Sequence, residues 1–241
     1  MIHVESVTKK FSSGTEALCG VSFEVGAGEV VGLLGGNGAG KTTCFRILSG
    51  LVRPTSGRCL VCGSDVQAET LRARQVSGFL PGSDSGLYDR LTALENIMYY
   101  ARLYGMDRDY AMQRVSYLSS LLDMQGFMNR RTAEFSRGMK QRAAIARAFI
   151  HDPDVVLLDE PSTGLDAASA AAIHRLIADS AASGKAVLLS SHNVHEINKM
   201  CGRVLILQRG LIVESGTITS IEERHSMDFE SVFLKFTGNA L

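Results

Sequence analysis

The sequence has no net charge, no long apolar run and no surplus of paired cysteines, and each absence excludes something. Twenty-five basic and 25 acidic side chains cancel, which argues against a broad basic face for nucleic acid and against a polybasic membrane tether. The longest apolar stretches are Val30–Leu34, Val155–Leu158, Ala186–Leu189 and Val204–Leu207, far short of the roughly 18 residues that span a bilayer. The first residues lack the apolar core of a secretory signal. A cytoplasmic location with no direct membrane insertion is therefore expected, any membrane contact running through a partner. Five cysteines, an odd number, suit a reducing compartment. Cys59 and Cys62 form a C-x-x-C pair, but no second pair completes a zinc site and they fall on a predicted short strand, so both read as structural.

What is present is 241 residues with 45% hydrophobic side chains, enough for one large domain with a substantial core. Glycine is in excess, at 24 residues, and gathers at turns and in one loop. Ile2, Val4 and Val7, then Val21, Phe23 and Val25, follow the period-two pattern of antiparallel strands with one wet face. The four apolar runs read instead as strands buried on both faces, the mark of a parallel sheet covered by helices. Helices are predicted at 41–49, stopping at Gly50, and at 167–180, before Gly184. Residues 86–134 contain no convincing strand. There Thr92 and Glu95 match a capping box, Leu94, Ile97, Met98 and Ala101 mark one helical face, and Val115, Leu118 and Leu122 repeat the pattern before Gly126. Gln208-Arg209-Gly210 reads as a tight turn between two strands. The fold expected is α/β: a mainly parallel core sheet, an N-terminal antiparallel β subdomain and an inserted α-helical subdomain over 86–150, all in a single domain over 1–241.

The strongest local signal is Gly35-Gly36-Asn37-Gly38-Ala39-Gly40-Lys41-Thr42, which fits G-x-x-x-x-G-K-[ST]. An apolar strand precedes it and a helix follows, the context the chemistry requires. Glycines let backbone N–H groups converge on phosphate oxygens, and the helix N-terminus adds donors and partial positive charge. Lys41 can reach the β- and γ-phosphates, the Thr42 hydroxyl can ligate Mg²⁺, and Thr43 completes the nucleotide-binding stretch. Downstream, Val155–Leu158 ends in Asp159 and Glu160. Asp159 suits the Mg²⁺ shell and Glu160 a general base that orients water. ATP and Mg²⁺ are the expected cofactors.

Over essentially its whole length the chain resembles the ATP-binding subunits of ABC transporters. Phe135-Ser136-Arg137-Gly138-Met139, followed by Lys140-Gln141-Arg142, is similar to the family's LSGGQ signature, and Pro161–Asp166 to its D-loop. His192, after Leu188-Leu189-Ser190-Ser191, resembles the switch histidine, and Phe11 stands where an aromatic stacks on adenine. The resemblance implies P-loop NTPase chemistry in a head-to-tail dimer. Each ATP would lie between the phosphate loop of one copy and Ser136 and Gly138 of the other, at the start of a helix read as 139–150. His192 would bond the γ-phosphate and position water and Glu160, whereas His151 and His195 read as structural. The partners implied are a second ATPase domain and separate polytopic membrane subunits on the cytoplasmic face. Gly86–Thr92 with Glu95-Asn96, and the stretch Asp228–Gly238, resemble exporter subunits of the NatA type.

The sequence departs from that family in places. Arg137 replaces a glycine and Met139 a glutamine of the signature, and Gly36 replaces a common proline. More consequential, the glutamine expected after the 76–80 strand is absent: Gly82 or Ser83 holds its place. Either Asp84 takes that role, or water completes the Mg²⁺ shell and the loop only transmits motion. Two alternatives to an exporter ATPase are a soluble ABC ATPase without transport and a slow-turnover ATP-dependent regulator.

Overall fold

The computed structural model describes residues 1–82 and 86–238. In chain order the elements are β1 (Ile2–Lys10), β2 (Glu16–Val25), β3 (Val30–Leu34), α1 (Lys41–Leu48), β4 (Ser56–Val61), β5 (Ser64–Asp65), α2 (Thr70–Gln75) and β6 (Ser77–Leu80). There follow α3 (Ala93–Leu103), α4 (Arg108–Leu121), α5 (Arg137–Phe149), β7 (Val155–Asp159), α6 (Ala167–Ala182), β8 (Ala186–Ser190), α7 (Val194–Met200), β9 (Arg203–Gln208), β10 (Leu211–Gly216), α8 (Ile218–His225) and α9 (Phe229–Thr237).

Two sheets organise the fold. One is antiparallel, in the order β2-β1-β4-β5. The other runs β10-β9-β3-β8-β7-β6, parallel except for β10, which returns from β9 through a turn with Arg209 at φ 47°. Its central strands are apolar throughout because alternate residues feed two different cores. Val156, Leu158, Val187, Leu189, Val204 and Ile206 belong to the core formed with α3–α9. Val155, Leu157, Ala186, Leu188, Leu205 and Leu207 pack with α1 and the antiparallel sheet. In β1, Ile2, Val4 and Val7 all point inward although their parity changes. A register shift between Val4 and Val7, with Ser6 at φ 48°, restores the inward face.

The capping box of α3 forms, Thr92 Oγ1 accepting from Glu95 N–H at 3.1 Å and Glu95 Oε2 from Thr92 N–H at 2.8 Å. Helix α6 runs on to Ala182, past the expected 180, and three other boundaries differ from the sequence reading for local reasons. Helix α4 stops at Leu121, where Asp123 at φ 49° turns the chain, so Gly126 lies in a separate 3₁₀ turn. The signature helix α5 starts at Arg137, two residues before the expected Met139, because the Ser136 side chain accepts from Met139 N–H and caps it. Cys62 lies past the end of β4, at φ 48°. Cys59 and Cys62 are both free thiols, and the described residues contain no cluster of three or more His, Cys, Asp or Glu side chains placed to hold a metal ion. No described helix is long and apolar enough to cross a membrane.

Candidate functional site

Strand parity decides which carboxylate faces which element. Asp159 continues the face of Val155 and Leu157, the side covered by α1, and is buried at 2% exposure. There Thr42 Oγ1, in the first turn of α1, donates to Asp159 Oδ2 at 2.9 Å, and Ser190 Oγ donates to Oδ1 at 2.6 Å. Glu160 lies one residue past the strand at φ 54°, its N–H donating to the Ser190 hydroxyl at 3.0 Å. Its carboxylate Oε2 accepts from Thr163 Oγ1 at 3.0 Å and sits 3.3 Å from His192 Nδ1. The loop after β8 thus brings His192 beside Glu160.

The glycine-rich loop joins β3 to α1. Gly40 caps α1 at φ 112°, and a Cβ there would lie 2.4 Å from the Ala17 carbonyl oxygen, so no other residue fits without moving β2. Lys41 is 8% exposed, and its Nζ donates to the carbonyls of Gly35 at 2.5 Å and Gly36 at 3.1 Å. Burial holds its pKa below the ordinary lysine value, while Glu160 and Asp159 pull the other way. A cleft of about 320 Å³ is lined by Phe11, Gly36, Asn37, Gly38, Ala39, Gly40, Lys41, Thr42, Thr43 and Glu160, with Thr15, Glu16 and Ala17. Gly35 lies below it, on the carbonyl of Leu207. Phe11 is 37% exposed, with Lys9 Nζ 5.0 Å from its ring centroid.

Ser136 and Gly138 do not line this cleft. They stand at the start of α5, Gly138 against Leu165 of the following loop. Of the residues proposed for the missing glutamine, Ser83 and Asp84 lie outside the described residues. Gly82 lies against the carboxylate: a Cβ on it would meet Asp159 Cγ at 3.1 Å and Oδ2 at 3.2 Å. His151 is structural, stacked on Tyr104 at 3.6 Å and bonded to the Ser77 carbonyl at 3.1 Å. His195 stands exposed on the first turn of α7.

Sequence reasoning missed three side chains that fix the site. Ser190 joins Asp159 and Glu160. Gln141, on α5, donates to the carbonyls of Glu160 at 3.4 Å and Pro161 at 2.8 Å. Thr163 braces the Glu160 carboxylate. Each lay inside a motif already singled out, but its partner is set by packing and not by spacing.

Comparison with known proteins gives a consistent result. Residues 18–163 match the family described as ABC transporter. The chain is 40% identical over 238 residues to the ABC transporter ATP-binding protein NatA of Bacillus subtilis, covering 97% of each. It is 36% identical over 215 residues to the Nod factor export ATP-binding protein I of Burkholderia lata, covering 89% of this chain and 70% of that one. An ATP-binding subunit of an ABC transporter superposes with a TM-score of 0.92 at 27% identity, over 98% of this chain and 99% of that one. The cassette MJ0796, dimeric in a post-hydrolysis state with ADP and Pi, superposes at 0.83 and 26% identity, over 90% and 98%. With its antiparallel sheet, mostly parallel core sheet and phosphate loop over Asp159, the chain belongs to the ABC transporter family as an ATP-binding, ATP-hydrolysing subunit.

Proposed function

We propose that this chain powers an exporter, as one of two ATPase copies that close on ATP beneath separate membrane subunits. The observation that carries the reading is a phosphate-loop cleft lined by Lys41, Thr42 and Glu160, with Asp159 bonded to Thr42 and His192 beside Glu160. Lys41 Nζ would leave the Gly35 and Gly36 carbonyls for the β- and γ-phosphates, the loop N–H groups would hold the phosphates, and Phe11 would stack on adenine. The Thr42 hydroxyl and Asp159 carboxylate present two hard oxygen donors, which fit Mg²⁺. Bound there, the ion would neutralise charge on the phosphates. Glu160 would take the proton of the attacking water, and His192, beside it, would bond the γ-phosphate.

Ser136 and Gly138 lie away from their own phosphate cleft, at the N-terminus of α5, so they suit a γ-phosphate bound by a second copy. The dimeric MJ0796 cassette supports that arrangement. The exporter direction is supported by the Nod factor export relative. A cleft of about 490 Å³, lined by Arg46, Leu51, Phe79, Tyr100, Tyr104 and Arg147 among others, lies where β6 meets α3. It would seat a helix of the membrane subunit on the cytoplasmic face, with residues 86–150 moving as the responding unit.

Glu160→Gln tests the assignment. Turnover should fall at least about 100-fold, while ATP should now hold a dimer that size-exclusion chromatography resolves, because the phosphate bridge is no longer cleaved. Normal hydrolysis by this variant would remove Glu160 from the role of base.

A further inference from the structure

A second polar cluster lies behind the site, in a cleft of about 820 Å³ between the segment after Glu160 and α7. Glu196, in the first turn of α7, is its centre. The side chain is 9% exposed, and that of its neighbour His174 on α6 is 19% exposed. Glu196 Oε1 accepts from His174 Nε2 at 2.9 Å, and Oε2 accepts from Ser191 Oγ at 2.7 Å. Ser162 Oγ lies 3.4 Å from the same His174 Nε2.

The resemblance to a hydrolytic triad fails on geometry. A relay needs one partner on each ring nitrogen, and here serine and carboxylate share Nε2. What remains is a mechanical arrangement. Burying a carboxylate is costly unless donors surround it. Burial by itself would push the Glu196 carboxyl up, but bonds from Ser162, Ser191 and His174 hold it below the usual range. The carboxylate is thus kept charged, with both oxygens engaged.

Those bonds fold the loop that carries His192. Ser191 Oγ donates to Glu196 and accepts from Asn193 N–H at 3.0 Å, and Asn193 Oδ1 accepts from the N–H groups of His195 and Glu196 at 3.0 and 3.3 Å. His192 therefore sits between two pinned neighbours, its own side chain 66% exposed and touching Glu160. On the other side, His174 belongs to α6, which continues directly from the loop after Glu160 and is capped there by Asp166.

We propose that Glu196 and His174 are a positioning pair that sets His192 against Glu160, tying the loop after β8 to the helix after β7. The proposal rests on the reading of His192 and Glu160 given above. Positioning of this kind acts on turnover and not on nucleotide affinity, because neither residue reaches the phosphate cleft.

Steady-state ATP hydrolysis by the full chain tests it, with thermal unfolding and binding of a fluorescent ATP analogue measured alongside. Glu196→Ala and Ser191→Ala should each lower kcat roughly 10-fold, with KM for ATP within about twofold. Glu196→Gln should recover most of that, since its amide oxygen still accepts from Ser191 and its NH₂ can donate to the other tautomer of His174. In a His192→Ala background, removing Glu196 should cost no more than about a further twofold, because residues acting as one unit are not additive. Full additivity, or a loss confined to KM or to melting temperature, overturns the pair. A slow His192→Ala chain with a normal Glu196→Ala chain also overturns it, and leaves the role of His192 intact. A His192→Ala chain at the wild-type rate overturns both. Ser191→Ala removes one hydroxyl only, so the test stands even if Glu196→Ala fails to fold.

Discussion

At the scale of single residues, Gly82 governs how much room the Asp159 carboxylate has. That carboxylate is fixed by Thr42 and Ser190, so it cannot yield to a Cβ at 3.1 Å without disturbing the oxygen pair. Gly82→Ala should therefore lower ATP turnover severalfold while melting temperature changes by less than the few degrees that about 1 kcal/mol would produce; unchanged turnover would show that Asp159 adjusts freely. His151 makes a prediction in pH. Its buried Nδ1 has no partner among the described residues, and burial, with Lys185 and Arg114 nearby, lowers its pKa to about 4 against the pull of the Ser77 carbonyl. Between the ordinary histidine value and about 4, the unfolded chain binds a proton that the folded chain refuses. Stability is thus lost as pH falls through that window. His151→Phe keeps the stack on Tyr104 and should flatten the melting temperature against pH there, whereas equal slopes for the two proteins would assign the dependence elsewhere.

At the scale of elements, the start of α3 shows how two adjacent polar residues differ in weight. Thr92→Ala removes an exposed cap and should cost about 1 kcal/mol. Asn96 is fully buried, accepting from Tyr88 N–H at 2.8 Å and donating to the carbonyls of Tyr88 and Thr92 at 3.2 and 2.9 Å. Asn96→Leu would strand those backbone groups and should cost about 2–3 kcal/mol, which chemical denaturation of the two variants compares directly. The capping box was legible because its geometry lies within four residues. Asn96 was legible only as part of a family-like string, since its partner at Tyr88 depends on how the preceding loop folds back. The early start of α5 has the same origin: Ser136 was recognised by motif, and only its bond to Met139 N–H identifies it as the cap.

At the scale of the whole molecule, the phosphate cleft and the N-terminus of α5 are separate surfaces of one chain. If each active site is shared between copies, mixing Lys41→Ala chains with Gly138→Asp chains should restore ATP hydrolysis that neither variant has alone, because the mixed dimer keeps one intact site. Two inactive variants that remain inactive on mixing would require a site complete within one chain.

The sequence by itself determined the α/β class, the phosphate loop, the strand ending in Asp159 and Glu160, and the place of His192. These signals are local: a period of two, a glycine spacing before a helix, a carboxylate pair at a strand end. Tertiary structure decided which side chains complete the site. Ser190, Gln141 and Thr163 reach it from β8, α5 and the loop after Glu160, and His174 on α6 and Glu196 on α7 meet behind it. The bond from Ser190 to Asp159 joins residues 31 positions apart across β7 and β8, which pair in parallel, so neighbours there are necessarily distant in sequence.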